Sequence, residues 1–172
     1  MWGLQEIARW EHLFQDAARL LLSLGEAENE HWTNNASGVF ADLFAIGLHK
    51  ELSHTEASPQ QRFPVLKEAL ESSSKERMAL GLRACERWLT PQDSGTVIDT
   101  RHIVGKQPNP WIPKTWGELF DAYRLVWNFL EDALETLPKD EQPLAARVLL
   151  RCAQQLGRMG NLNDMVLGSL RN

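Results

Sequence analysis

Short amphipathic segments, each with its own start and stop signals, are the feature that most constrains the fold of this chain. The clearest example covers residues 58–89. Ser58 fits an N-cap, and Pro59 follows in the first helical turn, where its missing amide proton costs nothing. After a serine turn, Ser73 or Ser74 caps a second helix. The sequence here predicts two short helices that form a hairpin.

The rest of the chain repeats this organisation. We predict further helices over about residues 2–10, 11–24, 37–48, 115–137, 141–159 and 165–170. Thr115 and Glu118 form a capping-box pattern at the start of the longest helix. Either Asn35 or Ser37 caps the helix over 37–48. A loop at about 91–114 lacks helical periodicity, and its length inside a helical domain is typical of a functional segment.

Leucine spacing predicts which side of the helix over 11–24 is buried, and Gly25 is placed as its C-terminal stop. The predicted buried stripe consists of Leu13, Phe14, Ala17, Leu20, Leu21 and Leu24. Helix follows helix without a continuous strand pattern, so the predicted class is all-α. The expected architecture is a single domain over 1–172, built from irregular helical hairpins stacked as a short α-α superhelix.

Composition limits the function classes. The chain has 172 residues and a formal net charge of −5, with a pI near 5.5. A nucleic-acid or anionic-membrane binder needs a basic excess, so we expect neither partner. Cys85 and Cys152 lie between apolar residues and are expected to be reduced and buried. No secretory signal or membrane-spanning run is recognisable, which indicates a cytoplasmic protein.

Two sets of residues carry a resemblance to known families. The run Arg77 to Ala84, in a helix that starts at Ser74 and Glu76, resembles the second helix of HEAT-like repeats. Other stretches look like the C-terminal helical regions of large bacterial multidomain proteins, which often carry STAND-type NTPase domains: Trp2-Gly3-Leu4, Trp32 with Asn34-Asn35-Ala36-Ser37, Ala57-Ser58-Pro59 with Arg62, and Pro113-Lys114-Thr115-Trp116-Gly117-Glu118. The resemblance implies a sensor or scaffold region. No Walker motif is present, so NTPase activity is not carried over.

The loop at 91–114 contains the candidate partner-binding residues. Arg101, His102, Lys106 and Trp111 supply cations, a titratable ring and an indole, residue types that are enriched at binding hot spots. The alternative is that Trp111 and Pro113 pin the loop onto the helices beneath it.

Other chemistry is weaker in the sequence. His31, His49 and His54 lie in or beside two loops, but their spacing matches no zinc motif, so we expect solvated histidines and no cofactor. Glu131, Asp132 and Glu135 are expected to form an acidic face. A basic stripe on the next helix is expected to be paired within the chain or solvated: Arg147, Arg151 and Arg158, with Gln154 and Gln155 between them.

Together these features predict a non-enzymatic helical-repeat scaffold or sensor segment of a larger bacterial protein. Its expected partner is another protein or another domain of the same polypeptide. The alternative is a small helical enzyme that binds a metal or ligand through its loop histidines.

Overall fold

A computed structural model describes residues 2–28, 35–49, 53–91 and 107–169. Within these ranges the chain is helical and contains no β-strand, which confirms the all-α prediction. The helices are α1 (Trp2–Ala8), α2 (Phe14–Glu26), α3 (Ala36–Asp42), α4 (Pro59–Leu70), α5 (Lys75–Leu89), α6 (Trp116–Thr136), α7 (Gln142–Gly157) and α8 (Asn163–Ser169). None of the helices in the described ranges is long and apolar enough to cross a membrane.

Side-chain caps define where several helices begin. Ser58 and Gln61 form a full capping box at α4, with the Ser58 N–H donating to Gln61 Oε1 at 2.7 Å. Asn35, Ser74 and Thr115 each accept from the backbone N–H three residues further along. Each cap satisfies a backbone donor that would otherwise lack an intrahelical partner. The predicted start at Ser58 is confirmed, and the choices left open resolve to Asn35 and Ser74.

The start of α6 differs slightly from the predicted capping box. The Thr115 hydroxyl accepts from the Glu118 N–H at 3.2 Å, as expected. The Glu118 carboxylate, however, accepts from the N–H of Lys114 at 2.8 Å rather than from that of Thr115. The carboxylate therefore fixes the chain one residue before the cap.

Helix α5 lies at the centre of the fold and contacts α2, α3, α4, α6 and α7. The Trp88 indole N–H donates to the Ala122 carbonyl at 2.9 Å and joins α5 to α6. On its other side, the Trp88 ring stacks on Phe44 at 6.2 Å, and Phe44 meets Phe14 of α2 edge-on at 6.0 Å. One continuous core therefore extends from α2 through α5 to α6.

Glycines lie at two close approaches between helices. A Cβ on Gly81 of α5 would lie 2.8 Å from Leu70 Cδ1 and 3.1 Å from the Leu70 backbone nitrogen. A Cβ on Gly25 would lie 3.0 Å from Leu80 Cδ1 and 3.4 Å from Ser37 Cα. The predicted role of Gly25 as a helix stop is therefore wrong. Helix α2 continues to Glu26, and this glycine allows close approach of α3 and α5.

The buried face of α2 also differs from the prediction. Phe14, Ala17 and Leu21 are buried as expected, together with Ala18 and Leu22. The remaining predicted stripe residues are partly exposed, with relative exposures of 36% for Leu13, 55% for Leu20 and 47% for Leu24. The apolar face is wider than the contact, and the neighbouring helices cover the side that carries the small residues.

We predict that Gly81→Ala destabilises the protein although alanine is the better helix former. The new methyl group would overlap the end of α4, and overpacking of this kind costs about 1–3 kcal/mol. Urea unfolding monitored by circular dichroism measures the change. Gly168→Ala is the matched control, since nothing lies within 4 Å of a Cβ there. Equal stability of both variants would contradict the close approach.

Candidate interaction groove

The predicted binding loop is only partly described by the structure. Arg101, His102 and Lys106 lie outside the described residues, so their role stays a prediction. Trp111 is described, is half-buried, and packs against the hydrophobic core. The structure therefore bears only on the last of the four candidate residues.

The backbone of Trp111 is fixed to an extended segment before α4. Its N–H donates to the Thr55 carbonyl at 2.8 Å, and its carbonyl accepts from the Ser53 hydroxyl at 2.6 Å. The Asn109 N–H donates to the Glu56 carboxylate at 2.7 Å. Residues 109–111 are thus laid along residues 53–56 by several hydrogen bonds.

Beneath the Trp111 ring lies a fully buried arginine, Arg62. Its Nε donates to the Ala57 carbonyl at 2.7 Å, and Nη1 donates to the Ala45 carbonyl at 2.9 Å. Its Cζ is 5.9 Å from the Trp111 ring centroid, within cation–π range. Burial lowers the pKa of Arg62 to about 9. These contacts match the alternative in which Trp111 pins the loop to the helices.

The histidines do not come together in the described structure. His31 lies outside the described residues, His49 is exposed, and His54 is largely buried. Across residues 2–28, 35–49, 53–91 and 107–169, no group of three or more His, Cys, Asp or Glu side chains is placed to hold a metal ion.

Burial lowers the pKa of His54 to about 4. Asp42 opposes this shift, while the cations Arg87, Arg62 and Arg9 add to it. Within the described part of the chain, Nδ1 of His54 is buried and has no hydrogen-bond partner. A proton on this ring would therefore enter a desolvated site beside several arginines.

Both cysteines are free and buried, as the sequence predicts. Burial raises the pKa of the Cys85 thiol far above its ordinary value and raises that of Cys152 to about 11. Neither thiol is activated as a nucleophile, because the thiolate is the reactive form.

An open groove of about 670 Å³ lies along the α6–α7 hairpin. Both helices and the end of α8 line it: Trp127, Glu131, Asp132, Leu134 and Glu135 from α6, Ala146, Leu149, Leu150 and Ala153 from α7, and Ser169 from α8. At this end, the Trp127 indole N–H donates to the Ser169 hydroxyl at 2.8 Å.

The α7 wall of the groove is apolar. Leu150 is 62% exposed although it is a large hydrophobic residue. Ala146 and Ala153 line the groove on either side of Leu150, and their short side chains leave hollows. Leu150 falls outside the buried stripe that the sequence predicts for the helix over 141–159, which consists of Leu144, Val148, Leu149, Cys152, Ala153 and Leu156. The sequence did contain a signal for this groove. It is a leucine outside the predicted buried stripe, Leu150, between two alanines that are seven residues apart, Ala146 and Ala153.

The α6 side of the groove is acidic. Glu131, Asp132 and Glu135 line it, and none of them has an ion-pair partner within the described residues. Among the described residues, no ion pair joins them to Arg147, Arg151 or Arg158 of the basic stripe, and Arg151 pairs with Glu86 of α5 at 3.1 Å. The sequence found these carboxylates, but not the apolar wall that faces them.

Two other surface hollows each contain an internal ion pair, and the first of them also shares Asp132 with the α6–α7 groove. A hollow of about 600 Å³ between α4 and α6 includes Lys67 and Glu71, whose charged groups are 3.6 Å apart. A smaller one, of about 360 Å³, includes Asp42 and Arg87, which pair at 2.8 Å. The α6–α7 groove therefore offers the clearest combination of exposed apolar surface and unpaired charge.

Comparison with known proteins identifies no relative. No protein-family model matches the chain, and neither the curated proteins nor the solved structures include a significant match. The groove is thus interpreted from its own residues.

We predict that Trp111→Ala lowers the free energy of unfolding by about 2–4 kcal/mol, because it uncovers Arg62 and leaves a cavity at the core edge. Chemical denaturation measures the loss. Trp116→Ala is the matched control, since Trp116 is 66% exposed, and it should cost less than about 1 kcal/mol. Unchanged stability of Trp111→Ala would favour a binding role for this residue instead.

We predict that the protein loses stability on acidification through His54. Its folded pKa, about 4, is below the ordinary 6.5, so the unfolded chain takes up the proton first. The contribution of neutral His54 is complete above pH 6.5 and is lost as the pH falls toward 4. We expect a loss of roughly 1–2 kcal/mol between neutral pH and about pH 5.

Urea unfolding of wild type and His54→Gln at both pH values tests this assignment. The variant should lose less stability on acidification, whereas His49→Gln, at an exposed position, should behave like wild type. The same acid-induced loss in wild type and His54→Gln would assign the pH dependence to other groups.

Proposed function

We propose that this chain is a non-enzymatic helical-repeat segment that acts as a scaffold or sensor region of a larger bacterial protein. In this proposal it binds a protein partner through the α6–α7 groove. The segment containing Arg101, His102 and Lys106 is a second candidate contact region.

The observation that carries this proposal is the exposed apolar wall of the groove. A large hydrophobic side chain, Leu150, is 62% exposed and lines an open groove together with Ala146 and Ala153. Contiguous exposed apolar surface with a polar rim is typical of protein-interaction sites. The three carboxylates on α6 supply that rim.

The arrangement of the helices supports the repeat part of the proposal. Helices α4 and α5 form one hairpin, α6 and α7 form the next, and α5 contacts both helices of the second hairpin. Consecutive hairpins packed side by side are the building principle of helical-repeat proteins. A HEAT-like superhelix is therefore the proposed architecture of the longer protein.

A peptide-display selection tests the groove as a binding site. Random peptides displayed on phage are selected against the 172-residue chain, and enriched peptides are synthesised and titrated. We expect Leu150→Glu to weaken their binding by at least about tenfold, because it places a charge in the apolar wall. Filling a hollow with Ala146→Leu should weaken binding as well.

Leu20→Glu is the matched control for this experiment. Leu20 is also an exposed leucine on a helix, but it lies on α2, away from the groove. Its variant should bind the peptides like wild type. Failure to enrich any peptide, or equal binding by wild type and Leu150→Glu, would overturn the groove as the interaction site.

A further inference from the structure

We infer that the partner element in the groove is an amphipathic helix with lysine or arginine along one flank. This inference rests on the proposed function and specifies the chemistry of the partner. Three features of the groove carry it: its length, its hollows and the one-sided placement of its charges.

The length of the groove suits a short helix. Its lining extends on α6 from Trp127 to Glu135 and on α7 from Ala146 to Ala153. At 1.5 Å per residue, these stretches correspond to about 12 Å and about 10 Å of helix. A segment of two to three helical turns that lies along the hairpin therefore covers the groove.

The hollows match the spacing of side chains on such a helix. Ala146 and Ala153 are seven residues apart on α7, and Leu150 stands between them. Side chains that recur every seven residues on a partner helix reach successive hollows, as knobs do in the holes of a coiled coil. The partner residue that lies three or four positions after the first of these side chains then contacts Leu150. The partner face is thus apolar with helical periodicity.

The charges of the groove determine which flank of the partner helix carries the basic residues. All three carboxylates of the groove lie on α6, and Glu131 and Glu135 are one turn apart. No carboxylate of α7 lines the groove. Cations one turn apart on the flank facing α6 would pair with these carboxylates. Such exposed pairs contribute about 0.2–1 kcal/mol each, so they select the partner while the apolar face supplies most of the affinity.

The same charges argue against other classes of ligand. A carboxylate rim that has no ion-pair partner among the described residues repels the phosphates of nucleic acids and of anionic lipid headgroups. An acidic helix would meet the same repulsion. An amphipathic helix with a basic flank makes favourable contacts with both the apolar wall and the acidic rim.

Three synthetic helical peptides test the inference against the 172-residue chain. They share one apolar face and differ on one flank, which carries lysine, glutamine or glutamate at positions one turn apart. Fluorescence anisotropy measures their dissociation constants at low and high salt. We expect the lysine peptide to bind about tenfold more tightly than the glutamate peptide, with the preference reduced at high salt.

Charge reversal locates the effect on the protein. Glu131→Lys combined with Glu135→Lys should reverse the preference toward the glutamate peptide. Asp16→Lys combined with Glu76→Lys is the matched control, because it changes the net charge equally at exposed positions on α2 and α5. This control should keep the lysine preference. Thermal unfolding of each variant shows whether it is folded.

Other results of these binding experiments would contradict the inference, the proposed function or both. If all three peptides bind equally and Leu150→Glu abolishes binding, the groove is an interaction site but the basic-flank inference is wrong. If none binds while the display selection yields groove-dependent peptides of another kind, the helical partner is wrong. If no peptide binds in either experiment, both proposals fall. A dimer of the chain that Leu150→Glu dissociates would make a second copy the occupant.

Discussion

The fold depends on one helix that has neighbours on several sides. Helix α5 contacts α2, α3, α4, α6 and α7, and its buried residues join the core that these helices share. This position requires a small residue wherever a neighbour approaches closely. Gly81 meets that requirement at the end of α4, where one added carbon would lie 2.8 Å from Leu70 Cδ1 and 3.1 Å from the Leu70 backbone nitrogen. Because α5 also contacts both helices of the α6–α7 hairpin, the hairpin that forms the groove is positioned by the same helix.

A second constraint holds the irregular chain in place. Arg62 is buried without a carboxylate partner among the described residues and donates instead to carbonyls of Ala57 and Ala45. Burying a cation is costly unless its donors are paired, so moving these carbonyls or the Trp111 ring would add to that cost. Nη2 of Arg62 is already buried without a hydrogen-bond partner among the described residues. Irregular segments on either side of α4 are thereby joined to that helix. Trp111, in the described part of the predicted binding loop, belongs to this arrangement.

Trp111 and Leu150 are both large hydrophobic residues, but the structure gives them different environments. Trp111 belongs to a segment that sequence analysis selects for binding, yet its ring and backbone are both engaged within the protein. Leu150 is not among the residues that the sequence predicts to be functional, yet it is exposed and lines an open groove. The carboxylates of the same groove have no ion-pair partner among the described residues. Aromatic and cationic composition identified a loop, whereas helix pairing identified a surface. The proposed interaction site follows from the second.

Local signals in the sequence determined the helical class and the starts of its helices. Ser58 with Pro59, and Thr115, could be recognised because capping involves residues only a few positions apart, and the cap of α5 could be narrowed to Ser73 or Ser74. Periodicity also placed Phe14, Ala17 and Leu21 in the core, but it did not show that Leu20 and Leu24 would lie at the surface. An apolar stripe shows roughly which side of a helix faces the core. How much of that side is buried depends on where the neighbouring helices pack.

Only the tertiary structure decided the roles that depend on distant partners. Gly25 became a contact point rather than a helix stop because α3 and α5 approach it. Arg151 pairs with Glu86 on α5, sixty-five positions away in the chain, and not with an α6 carboxylate among the described residues. The groove exists because α6 and α7 lie side by side and bring a leucine, two alanines and an acidic rim onto one surface. Such juxtapositions are set by packing over long sequence separations, which the local pattern of residues does not contain.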